Sequence, residues 1–183
     1  MILPIYLYGS SCLREKTQTV APDYPDLKQL IANMYDTMYN ADGVGLAAPQ
    51  IGRSIRLFVV DADPVKNRDS RATGFRQTFI NPQILERSGE MCSASEGCLS
   101  IPDIHEEVVR NDVITVKYFD ENFNEHLDTF AGIVARIVQH EYDHIEQILF
   151  PDHFSQLKKK LVRRKLDKIR TGKIQPEYRS RID

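Results

Sequence analysis

Three cysteines in 183 residues are too few, and odd in number, for a disulfide framework. The opening Met1-Ile2-Leu3-Pro4-Ile5 has neither the basic start nor the long apolar stretch of a secretory signal. Reduced thiols and a cytoplasmic setting are therefore expected. No apolar run approaches the roughly 20 residues that span a bilayer, so no membrane partner is expected. Internal repeats and low-complexity linkers are missing as well, which argues against a solenoid or a string of tethered modules. With 42% hydrophobic and 27% charged residues, the chain has the composition of a folded soluble protein rather than a disordered one. Its length suits one domain covering residues 1–183.

What the chain does contain is His140-Glu141-Tyr142-Asp143-His144. Histidines at i and i+4 project from one side of a helix and can grip a single cation, with the intervening glutamate beside it. Phe130, Ile133, Val134, Ile137, His140, Glu141, His144, Ile145 and Ile148 recur at helical steps, so the polar trio interrupts a buried stripe. Burying it without a cation would be costly.

Two imidazoles leave a catalytic site one protein ligand short. An extended H-E-x-x-H-x-x-G-x-x-H motif would need glycine at Gln147 and histidine at Phe150. His153 lies beyond Pro151, where the helix should have ended, and Glu177 follows Pro176 in a polar tail. The remaining candidate is Cys98 in Glu96-Gly97-Cys98-Leu99-Ser100, a polar, glycine-containing stretch suited to a loop or strand edge beside a site. Cys12 and Cys92 read as small apolar side chains.

Around this site the pattern predicts a helix over residues 25–39, with Asp23 as cap and Leu27, Leu30, Ile31, Met34, Tyr35, Met38 and Tyr39 on one face. Strands are expected over 55–61, 78–81, 84–87, 113–119 and 127–130, with a turn at Asp120-Glu121-Asn122 and a solvent loop over 63–74. An amphipathic helix should run over about 155–171, closed by Gly172, with Leu157, Leu161 and Ile169 packed on the core. The fold class is α+β: short antiparallel or mixed strands surround a central metal-binding helix, with further helices near the two termini.

Three separated segments, Gly43-Val44-Gly45-Leu46-Ala47-Ala48-Pro49-Gln50, Glu96-Gly97-Cys98-Leu99-Ser100 and His140-Glu141-Tyr142-Asp143-His144, resemble the peptide deformylase family in identity, order and spacing. The resemblance runs from about Ile2 to the helix after Ser155. It implies a hydrolase that removes the formyl group from N-formylmethionyl peptides. Cys98, His140 and His144 would be the metal ligands, and Glu141 the general base. The Gln50 side-chain amide and the Leu99 backbone N–H would face the oxyanion. Gly43, Val44, Gly45 and Gly97 would line the peptide, and Val44, Ile133 and Ile137 the methionine pocket. Arg110 would hold the Glu96 segment by a bidentate pair. The family typically uses ferrous iron, while zinc, nickel or cobalt suits the same ligands. The alternatives are a related amidase acting on another acyl group and an inactive protein that retains the metal.

Two positions depart from the family pattern. Gln147 stands where glycine is usual, implying an altered helix end, and His105 stands where arginine is common. The C-terminal helix is also unusual, carrying nine Lys and Arg between Leu157 and Lys173 against Asp167 alone in a chain of net charge −2. Some family members dock on the ribosome through such a helix. Ribosome association is the partner expected from it, through RNA phosphates and not DNA.

Overall fold

The computed structural model describes residues 1–183. Its elements are β1 (Ile5–Tyr6), α1 (Leu27–Asn40), β2 (Gly45–Ala47), β3 (Leu57–Asp61), β4 (Arg76–Cys98), β5 (Ile101–Phe119), β6 (Glu125–Ala131), α2 (Gly132–Ile145), α3 (Gln156–Arg170) and β7 (Ser180–Arg181). Strands β2-β3-β4-β5-β6 form one antiparallel sheet in chain order, and β1 pairs in parallel with β7. The α+β class is as expected.

The run Leu57-Phe58-Val59-Val60 lacks polar alternation because both faces of β3 are covered. Leu57 and Val59 join Ile31, Met34 and Met38 of α1 in one apolar cluster, whereas Phe58 and Val60 join Val134, Ala135 and Val138 of α2 in another. Helix α2 is thereby fixed against the sheet's middle. A third cluster packs Val162, Leu166 and Ile169 of α3 on Ile101, Ile104 and Val108 of β5.

Several expectations need correction. Helix α1 starts after Asp26, which adopts φ 53°, and no side-chain cap comes from Asp23. Tyr39 lies at the edge of its buried face, 43% exposed. The two short strands around Pro82 are parts of one long β4. A bulge between Ile80 and Gln83 bends it, and Asn81 there sits at φ 50° while its side chain bonds the Val20 N–H and carbonyl. Pairing extends to Cys98 and Ile101, a reach that weak alternation over 88–98 did not disclose.

Residues 63–74 are not simply a solvent loop. They hold two 3₁₀ turns, bury Ala72, and lend the Asp69 carboxylate to the Ile133 N–H at 3.0 Å, capping α2. Phe130 belongs to β6 and Ile148 lies past the helix end, so the apolar stripe outlasts α2 at both ends. On α3, Leu157 and Leu161 are 70% and 74% exposed. The face that meets β5 is the Val162, Leu166, Ile169 stripe, and those two leucines point away from it.

Candidate active site

Helix α2 and the β4–β5 turn meet at the donor cluster. Cys98 ends β4, while His140 and His144 lie one turn apart on the buried face of α2. One donor atom from each of the three comes within 4.8 Å of the others. Cys98 Sγ lies 3.3 Å from His144 Nε2, and His140 Nδ1 is bonded to Glu96 at 3.1 Å, leaving Nε2 of that ring for the cluster.

The two imidazoles are driven in opposite directions. Burial works against charge on His140, but the Cys98 sulfur and the Glu96 carboxylate outweigh it and push the imidazole well above its ordinary value. His144 is driven down to about 3 by burial and by the positive charge on His140. The two rings thus do not both carry a proton, and the thiol and imidazole donor set suits a divalent transition metal.

Beneath the ligands lies a buried ionic network. Glu96 receives Arg110 in a bidentate pair at 2.7 and 3.0 Å and Arg136 at 2.7 Å. Arg110 also reaches Asp143 at 2.7 Å, and His153 reaches the same carboxylate at 2.8 Å. Burial raises the cost of charge on Glu96, yet His140 and Arg110 more than offset it, so the carboxyl sits far below its usual range. Asp143 is lowered likewise, against burial, by His153 and Arg110. The chain of contacts locks α2 to the β4–β5 hairpin at the level of the ligands. Sequence reasoning reached the Glu96–Arg110 pair through the resemblance but missed Arg136 and His153, whose partners are 40 and 10 residues away.

Glu141 is 4% exposed and its Oε2 has no hydrogen-bond partner. Burial raises its pKa to about 7, with His140 and Arg110 pulling the other way. A carboxyl poised near neutrality beside a donor cluster is suited to moving protons. Gln50 has its Oε1 fixed by the Ala47 N–H at 2.8 Å, which turns Nε2 toward Ser100 Oγ at 3.2 Å and Cys98 Sγ at 3.7 Å.

A groove of about 1500 Å³ opens over the site. Gly43, Val44 and Gly45 line one side, Gly97 and Leu99 another, and Ile133 and Ile137 rise from α2 beside His140 and Glu141. His144 lies beneath, outside the lining. Strand β2 is the edge strand of the sheet here. His105 also lines the groove, its ring packed on Gly97, where an added Cβ would sit 2.7 Å from Nε2. Gln147 keeps the backbone that glycine would favour. It adopts φ 58°, the left-handed conformation that glycine takes without penalty, while its carbonyl accepts from Arg14 at 2.6 Å.

An α+β scaffold that joins a thiol and two imidazoles beside a buried, unpartnered carboxyl, under a peptide-sized groove, defines a metal-dependent hydrolase. The sequence pattern of polypeptide deformylases matches residues 2–160, and the chain belongs to that family. It is 51% identical to the peptide deformylase of Flavobacterium psychrophilum over 189 aligned residues, covering 100% of this chain and 97% of the relative. Identity to the Salinibacter ruber peptide deformylase is 43%, over 97% and 93% of the two chains. The crystal structure of the Thermus thermophilus peptide deformylase superposes with a TM-score of 0.83 at 37% identity, covering 94% of this chain and 99% of that one. The protein is a metal-dependent hydrolase that removes the N-terminal formyl group from formylmethionyl peptides. Neither alternative, an amidase for another acyl group or a silent metal-retaining protein, finds support. No helix is long and apolar enough to cross a membrane.

Proposed function

We propose that deformylation runs through Glu141 as proton carrier, with Cys98, His140 and His144 as the metal ligands. The observation that carries this reading is the buried, unpartnered Glu141 carboxyl, set against the donor cluster and raised to about 7. A divalent ion on those ligands would supply the Lewis acidity that activates water and polarises the formyl carbonyl. The Glu141 carboxylate takes the proton of the attacking water as its oxygen bonds to the formyl carbon. The same carboxyl returns that proton to the amine nitrogen as the C–N bond breaks and formate leaves. The Gln50 Nε2–H and Leu99 N–H donate to the oxyanion of the tetrahedral intermediate. Gly43, Val44, Gly45 and Gly97 bind the peptide alongside β2, and Val44, Ile133 and Ile137 receive the methionine side chain. Residues 1–183 act as one catalytic unit.

The test is formate release from a formyl-Met tripeptide, with the acetylated peptide as comparison. Glu141→Ala should retain the metal and lose roughly 10²- to 10⁴-fold in rate. Near wild-type turnover would remove Glu141 as the base. Ferrous iron is the native ion in this reading, as the family resemblance implies, while the thiolate and imidazole set accepts zinc, nickel or cobalt as well. Iron-loaded protein should then lose activity faster in air than under argon, and nickel-loaded protein should not. The three free cysteines support a reducing, cytoplasmic setting.

Ribosome association through α3 is supported by its charge. Lys160, Arg163 and Arg164 are exposed and lie outside the ion pairs that occupy Lys158 and Arg170. Charge reversal at these three should abolish salt-sensitive co-sedimentation with ribosomes while leaving tripeptide turnover intact. Unchanged co-sedimentation would reduce the helix to a solvated surface.

A further inference from the structure

The last residues of the chain lie outside the span shared with the family pattern, which ends at residue 160, yet they return to the active site. After α3 the chain reverses at Gly172, and Gln175, Pro176, Glu177 and Tyr178 line the same groove as Cys98 and Glu141. The segment beyond Tyr178 is firmly clasped. The Ile5 and Leu7 N–H groups donate to the carbonyls of Arg179 and Arg181 at 2.9 Å each, across the β1–β7 pair. Arg179 Nη1 donates to the Ile2 carbonyl at 3.0 Å, and the Asp183 carboxylate accepts from Ser11 N–H and Oγ at 3.2 Å each.

Held in this way, Tyr178 packs half-buried beside Leu99, and its hydroxyl donates to the Leu99 carbonyl at 2.5 Å. Leu99 and Ser100 are the two central residues of the turn between Cys98 and Ile101. The other sides of this turn are already fixed. The Ser100 carbonyl accepts from the Tyr8 N–H at 2.8 Å, and Ser100 Oγ accepts from Gln50 at 3.2 Å. The Leu99 side chain presses on Gly43, where a Cβ would lie 2.7 Å from Cδ1. Tyr178 closes the remaining side, at the carbonyl of a residue that lines the groove.

We propose that Tyr178 is a positioning residue for deformylation: through the Leu99 carbonyl it holds the Cys98–Ile101 turn so that the Leu99 N–H meets the formyl oxygen. The C-terminal tail is thereby part of the catalytic apparatus and not a trailing end. This rests on the reading of the Leu99 N–H as an oxyanion donor.

Tyr178→Phe keeps the ring and removes the hydroxyl. In nickel-loaded full-length enzyme, kcat for a formyl-Met tripeptide should fall about ten-fold with KM nearly unchanged, as for supporting contacts beside a metal site. The melting temperature should hold, and hydrogen exchange at Tyr8, whose N–H is held by the Ser100 carbonyl, should quicken even in metal-free protein. An amide-to-ester replacement at Leu99, which deletes its N–H, tests the underlying reading. It should lower kcat by itself, and Tyr178→Phe should add little on top of it. If the ester variant is impaired but Tyr178→Phe turns over normally, or raises KM alone, the positioning role is refuted and the oxyanion reading stands. If the ester variant turns over normally, the oxyanion reading fails and the positioning role with it.

Discussion

Gly45 should be the most sensitive position in the groove that carries no functional side chain. Its backbone is not left-handed, so alanine there meets no conformational penalty. The obstacle is Glu141: an added Cβ would fall 2.8 Å from its Cγ and 2.7 Å from its Cδ, and closer still to Oε1. Carbon atoms rest at about 3.5 Å or more, so the carboxyl must move by roughly 0.8 Å. Glu141 is 4% exposed, so any shift is made against its packed surroundings. A displacement approaching 1 Å at a reacting group costs up to about 10²-fold, which sets the expected fall in kcat for Gly45→Ala at roughly 10- to 100-fold. Overpacking should also destabilise the fold by about 1–3 kcal/mol. Both effects act through one side chain, so Gly45→Ala in a Glu141→Ala background should cost little further stability. Formate-release kinetics, metal analysis and urea denaturation of the four proteins give the complete cycle. Near wild-type kcat in Gly45→Ala, or equal destabilisation in both backgrounds, would refute the argument that Glu141 is held by β2.

Other consequences arise from the same geometry. Cys98→Ala leaves two imidazoles as side-chain ligands, and both bound metal and activity should be lost; full occupancy by metal analysis would show that the third ligand lies elsewhere. Arg110→Leu strips the buried Glu96 and Asp143 of their shared partner and should cost about 3–5 kcal/mol in urea denaturation, whereas a loss below about 1 kcal/mol would make the network incidental. Glu96 and Asp143 both titrate below their ordinary values, so the stability they contribute is complete above the unfolded carboxylate range and is lost as pH falls through their folded values. Metal-free wild type should therefore lose stability on acidification below about pH 4 more steeply than Glu96→Gln does. Gln147→Gly should stabilise by about 0.5–1 kcal/mol, since relief of the left-handed backbone exceeds the added chain entropy. A lower urea midpoint for that variant would mean that the Gln147 side-chain bond to the Ile145 carbonyl matters more than its backbone.

How much could be read in the sequence depended on the distance over which each signal acts. The i, i+4 histidines, the helix that carries them and the apolar stripe beneath are local, and they were legible. Strand β3 was legible from composition, although its two-sided burial appears only when α1 and α2 are both in place. The long β4–β5 hairpin was not. Bulges at Ile80/Gln83, Ile84/Glu86 and Ser88/Met91 shift the alternation each time, so no single period of two runs through it. The Asp69 cap on α2 was invisible for a related reason: the donor and acceptor are 64 residues apart, and a polar loop looks the same whether or not it caps something.

The same separation explains why the donor cluster is built as it is. Cys98 stands at a two-residue turn, an element with little intrinsic stiffness, whereas His140 and His144 stand on a helix packed into the core. A ligand set needs both halves fixed to within a fraction of an ångström. The Glu96 carboxylate, two residues before Cys98, supplies this link by holding Arg110 on β5, Arg136 on α2 and His140 itself. Each contact joins elements that the chain alone leaves independent, and Asp143 repeats the arrangement one turn further along α2 through Arg110 and His153. An ionic network this deep is a poor source of net stability, since desolvation consumes most of the attraction. Its value lies in directionality: bidentate guanidinium pairs fix angles as well as distances, which apolar packing of the same volume would not.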